Sequence, residues 1–255
     1  MRRTEGEADA GRGENGAEGG DRRGGGGGGG VRLVLVPGMA TDSRGLEPQR
    51  GAPARVQALD WIEPGDGESL PSYAERLAEG VEVGEGDLFI GGVSLGAMIA
   101  LEMSHHVPAR AVFVIGGARS SEDVADSLHM ASRLARPAPA GLIRSLLPMF
   151  ARWVQFDEGL SDEQRKLEKE MAQSLSVKLL KWQALVACSW KLTRAPRVPV
   201  HAIHGEHDGV IKRDLFEVAE VVKGGSHLIN LTHPAEVNAF IAKHLRAHAA
   251  GGAEA

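Results

Sequence analysis

A single cysteine in 255 residues excludes an internal disulfide, so no covalent staple holds this chain. That cysteine, Cys188, lies in Leu185-Val-Ala-Cys-Ser-Trp190, an apolar context in which a thiol packs instead of reacting. Long hydrophobic runs are also missing. The longest uncharged stretch, Leu88 to Leu101, is 14 residues, whereas a membrane-spanning helix needs about 20. Positive charge is not in excess: 29 Lys and Arg against 34 Asp and Glu give a net charge of −5. No basic stripe stands out either, which argues against nucleic acid as partner or substrate. The first arginines are not followed by an apolar segment, so no secretory leader is expected and a cytoplasmic setting is the simplest account.

Glycine, by contrast, is abundant. Seven consecutive glycines occupy 24 to 30, and residues 1–30 are otherwise mostly Glu, Arg and Asp. Such a segment offers too little apolar surface to offset the entropy of ordering it, so a disordered tail is expected there. The remainder is long enough, and at 42% hydrophobic apolar enough, to bury one substantial core.

Apolar runs alternate with helical patterns along that remainder. Strands are expected at 31–36, 55–60, 87–91, 111–115 and 199–204, with a short one at Val221-Val222, and helices at 70–80 and 95–106. Strands alternating with helices imply a mostly parallel sheet covered on both faces. The long interruption from 120 to 195 carries helical patterns, including the capping-box signature Ser161-Asp-Glu-Gln164.

The most informative motif is Gly92-Val93-Ser94-Leu95-Gly96, placed between strand 87–91 and helix 95–106. A serine at the apex of a strand-to-helix turn takes a strained backbone conformation, and small neighbours let the surrounding chain approach. Its hydroxyl needs a base oriented by a third group before it can act as a nucleophile. Asp208, just past strand 199–204 in Gly205-Glu206-His207-Asp208, supplies a candidate acid. His227, in Lys223-Gly224-Gly225-Ser226-His227, supplies a candidate base. Other readings stand beside these. Ser94 could cap the following helix, Asp208 could be a turn residue, and Glu206 is a competing carboxylate. His201, His204 and His207 are spaced by three, as metal ligands on a helix would be. Pro199 and the β-branched neighbours instead favour a strand, on which 201 and 204 face opposite ways, so no metal site is expected.

The chain order Ser94, Asp208, His227 and the elbow motif together resemble the α/β-hydrolase superfamily over roughly Val31 to Leu245. Further segments fit: Val31-Arg-Leu-Val-Leu-Val-Pro-Gly38 is similar to the first strand and oxyanion loop, and Thr232 to Ile241 to the closing helix. Pro37 departs from the His that many members carry before the glycine; the loop contributes a backbone N–H, so the change is tolerable. The resemblance implies a core of about six strands built from 31–119 and 196–248, with a helical lid at 120–195 after the strand that follows the elbow. It also implies a Ser94–His227–Asp208 triad, an oxyanion hole from the N–H groups of Met39 and Leu95, and no cofactor or metal. The expected reaction is hydrolysis of a small-molecule ester or thioester. Phe150, Trp153, Phe156 and Trp182 in the lid are expected to line an apolar pocket for the acyl group. A non-catalytic ligand binder built on the same fold is the alternative from another class.

Overall fold

Leu33 and Leu35 of the first strand face one side of the sheet and Val34 and Val36 the other, and all four are buried. The same holds for Phe113 and Ile115 against Val112 and Val114. A strand apolar on both faces must lie inside a covered sheet, and each such side chain contributes about 1.5–3 kcal/mol on burial. The computed structural model describes residues 30–82, 84–135, 137–139, 141–143, 145, 159–212 and 220–251. Residues 1–29 of the glycine-rich tail, and Phe150, Trp153 and Phe156, lie outside them.

The sheet has six strands: β1 (Arg32–Val36), β2 (Arg55–Ala58), β3 (Leu88–Val93), β4 (Val112–Ile115), β5 (Val200–Gly205) and β6 (Glu220–Val222). Their order is β2-β1-β3-β4-β5-β6 and every pairing is parallel. Helices cover both faces: α1 (Leu70–Ala78), α2 (Leu95–Met103), α3 (Asp126–Ala135), α4 (Asp162–Ser174), α5 (Val177–Ala187), α6 (Ile229–Thr232) and α7 (Pro234–Gly251). One core joins Val34, Val36, Val112 and Val114 to α1, α2 and α5; the other joins Leu33, Leu35, Phe113 and Ile115 to α7. Every residue of α2 is buried, including Glu102, whose Oε1 accepts from the Trp190 indole N–H.

The element boundaries moved where tertiary pairing overrode local propensity. β3 runs through Gly92-Val93 because those residues pair with Val36, Val114 and Ile115 on the flanking strands. α2 stops at Met103, three residues short of the expected end, and His105 and His106 lie in the turn that follows. The closing helix continues ten residues beyond Ile241 to Gly251; Leu245 is buried there, and His244 stacks on His201 with ring centroids 3.8 Å apart. Between β4 and β5 the chain inserts α3, α4 and α5. The capping box at the start of α4 forms as its spacing predicts: Gln164 N–H donates to Ser161 Oγ and Ser161 N–H to Gln164 Oε1.

From the end of β1 the chain turns outward to β2 on one side, while β3 lies on the other. The carboxyl ends of β1 and β3 therefore border the crevice in which open α/β sheets bind ligands. The loop after β1 and the elbow after β3 both open onto it.

Candidate active site

Ser94 sits at φ 54°, ψ −118°, a conformation that costs a non-glycine residue about 1–3 kcal/mol and persists only where its surroundings enforce it. Those surroundings are backbone. A Cβ on Gly96 would meet the carbonyl oxygens of Val36 and Pro37 at 2.2 and 2.3 Å, and one on Gly92 would meet Gly96 itself at 2.3 Å. The second glycine of the motif thus lets the elbow press against the end of β1, a closer approach than helix-to-strand packing alone requires.

The serine makes no side-chain cap bond to α2, so the capping reading does not hold. Its Oγ instead lies 2.9 Å from His227 Nε2. His227 Nδ1 lies 3.0 and 2.9 Å from the two oxygens of Asp208. Both His227 and Asp208 side chains are fully buried. Asp208 Oδ1 also accepts from the N–H groups of Val210 and Ile211, each at 2.9 Å. Burial alone would raise the Asp208 carboxyl, but the His227 ring and these two amides outweigh it and hold the group below its ordinary value. The competing carboxylate faces elsewhere: Glu206 Oε2 accepts from Gly224 N–H and ties down the turn before His227.

Two glycines outside the elbow motif complete the positioning. Gly116, at φ 56°, lies against the His227 backbone and the Asp208 carboxylate, while a Cβ on Gly205 would meet Ser226 O at 2.0 Å. These close approaches bring the end of β5 and the His227 loop together. Gly116 does not stand out in the sequence, because it is needed only for a contact between distant segments.

The model of the alpha/beta hydrolase family matches residues 33–240. The chain belongs to the alpha/beta hydrolase family. No curated protein sequence matches it, but many solved structures share its fold. A thermophilic esterase from Thermogutta terrifontis is 18% identical, with a TM-score of 0.66 over 87% of this chain and 91% of that one. The N-acyl homoserine lactonase AidH, solved with N-butanoyl homoserine, is 17% identical with a TM-score of 0.62, covering 87% and 91%. ClbQ from the colibactin NRPS/PKS pathway is 15% identical with a TM-score of 0.57, covering 86% and 98%. At these identities the likeness establishes the fold of this alpha/beta hydrolase and leaves its substrate open.

The loop after β1 in this hydrolase is a tight turn in which Thr41 N–H and Thr41 Oγ both donate to Gly38 O. Ala40 takes φ 60° there, the only other non-glycine positive φ among the described residues. Its N–H donates to Gln183 Oε1 on α5, 3.1 Å away and 143 residues along the chain. Trp182, the one described residue of the expected acyl pocket, packs its ring on Tyr73 at 4.1 Å and donates its indole N–H to Glu68 O. It also borders a cavity of about 710 Å³ between residues 64–71 and α5, whose lining includes neither Ser94 nor His227. Burial pushes the Cys188 thiol up to about 11, so it stays protonated and offers no rival nucleophile. Among the described residues no helix is long and apolar enough to cross a membrane.

Proposed function

We propose that this alpha/beta hydrolase is a serine esterase that cleaves a carboxylic ester of a small or apolar acyl group through an acyl-enzyme on Ser94. The observation that carries this reading is the unbroken hydrogen-bond path from Ser94 Oγ through His227 to an Asp208 already satisfied by two backbone amides. An ionised, fully held carboxylate keeps the proton on His227 Nδ1 and leaves Nε2 free to act as a base.

His227 Nε2 takes the Ser94 proton as Oγ bonds to the ester carbonyl carbon, and the carbonyl π electrons move to oxygen. Collapse of that adduct breaks the bond to the alcohol oxygen, which leaves with the proton from His227. Water then repeats the sequence, giving its proton to His227 and its oxygen to the acyl carbon, and Oγ departs with the proton restored. The developing oxyanion is assigned to the N–H groups of Leu95, at the start of α2, and Met39, in the turn after β1. Each such donor is worth about 3–4 kcal/mol of barrier. The segment between β4 and β5 serves as the lid, with Phe150, Trp153 and Phe156 as the aromatic candidates for the acyl pocket, whereas Trp182 packs on Tyr73 away from Ser94. The reaction needs no metal or organic cofactor. A single half-buried cysteine suits a cytoplasmic setting.

Turnover of p-nitrophenyl acetate and butanoate beside butanoyl-CoA tests the assignment. The esters are expected to react with the higher kcat/KM. Faster turnover of the thioester would make the protein a thioesterase using the same residues. Turnover of neither by folded protein would contradict both, and would favour a ligand binder built on the hydrolase fold.

A further inference from the structure

Gln183 is fully buried on α5, one helical turn from Leu179 and Leu180 on one side and from Val186 and Ala187 on the other. A polar side chain in such a stripe needs partners, and of its two polar atoms Gln183 uses only one. Its Oε1 accepts from Ala40 N–H, which fixes the orientation of the amide, since only the oxygen can accept. That leaves Nε2 as a buried donor with no hydrogen-bond partner among the described residues. A leucine or methionine would fill this place in the core without leaving a donor unmet.

The amide is tied to the turn that adjoins Ser94. Ala40 belongs to the Gly38–Thr41 turn, and a Cβ on Gly38 would lie 3.7 Å from Ser94 Cβ. Gln183 therefore braces the turn that follows β1 at its strained residue, and presents an unused N–H beside the same turn.

We infer that Gln183 is the polar recognition point of the site: its carbonyl positions the oxyanion turn, and its Nε2 donates to a second oxygen acceptor carried by the acyl chain of the substrate. The preferred substrates are then esters whose acyl group bears an ether or ketone oxygen near the scissile carbonyl, not plain alkanoates. The inference rests on the esterase reading and narrows it. The two functions of the amide separate in kinetics. Loss of the turn contact lowers kcat for every ester alike, whereas loss of the donor acts only on acyl groups that carry the acceptor.

The test compares p-nitrophenyl methoxyacetate with butanoate, and 4-oxopentanoate with 4-methylpentanoate, in wild type and Gln183→Met. Each kcat/KM ratio is divided by the ratio for hydroxide, which removes intrinsic reactivity. Wild type is expected to favour the oxygen-bearing member of at least one pair by about tenfold. In Gln183→Met that corrected preference falls to one, and kcat drops for all four esters together. Corrected ratios near one for both pairs in wild type would overturn the inference, whatever the variant does and even if it fails to fold. A preference that survives in folded Gln183→Met would overturn it too. In both cases the esterase reading stands, because the plain esters still turn over. Absence of all turnover by folded wild type would remove that reading, and this inference with it.

Discussion

Asp208→Asn lowers kcat/KM toward a p-nitrophenyl ester by about ten-thousandfold, while Glu206→Gln changes it by less than about threefold. The reason lies in how Asp208 divides its acceptors. Both oxygens lie near His227 Nδ1, at 3.0 and 2.9 Å, but only Oδ1 also takes the N–H groups of Val210 and Ile211, so an asparagine keeps its carbonyl oxygen there and puts its NH2 in the place of Oδ2. At that place the native Oδ2 accepts from Nδ1 at 2.9 Å. A donor facing Nδ1 forces the imidazole to carry its proton on Nε2, the tautomer that cannot take a proton from Ser94. The backbone contacts survive, so the folded protein is retained and the loss is one of chemistry. Glu206 meets Gly224 N–H instead, and an amide oxygen can accept the same bond. Steady-state kinetics with urea unfolding of both variants checks the pair. A reversed order of effects would make Glu206 the acid.

Gly96→Ala lowers Tm by about 2 to 12 °C and removes most activity. Its Cβ would lie 2.2 Å from Val36 O and 2.3 Å from Pro37 O. These are backbone atoms in β1 and the loop after it, so no side chain can swing aside. Overpacking of this kind typically costs about 1–3 kcal/mol, which in a domain of this size corresponds to such a shift in melting temperature. The strain must be relieved by parting the elbow from the end of β1, and those two segments carry Ser94 and the Gly38–Thr41 turn. Thermal unfolding and kcat measured on the same sample decide the matter. Native Tm with native kcat would show that the close approach can relax freely.

The strands and the three polar residues were legible in the sequence for a physical reason: each carries a local signal. Apolar runs such as Leu88-Phe89-Ile90 and Ala111 to Ile115 read as buried strands. The small residues around Ser94 and the paired glycines before His227 mark the turns that present side chains at strand ends. Strand ends were less legible, because Gly92 and Val93 join the sheet through pairing with β1 and β4 and not through their own propensity. Gln183 was not legible at all. Within Val177–Ala187 it reads as an ordinary helical residue, and its significance comes from a bond to Ala40 that no local pattern announces. Ala40 was hidden for a similar reason, since alanine at positive φ runs against its own preference and is held there by the fold. Trp182 illustrates the converse. Its aromatic character suggested a substrate wall, and the structure places its ring on Tyr73 and its N–H on Glu68 O.

Labelling with a fluorophosphonate, followed by peptide mapping, tests the central claim most directly, because the reagent reacts only with a serine that a neighbouring base has activated. The account predicts one adduct on Ser94 in the wild type, and none in Ser94→Ala or His227→Ala. An unlabelled wild type that is demonstrably folded, or an adduct that persists in Ser94→Ala, would contradict it.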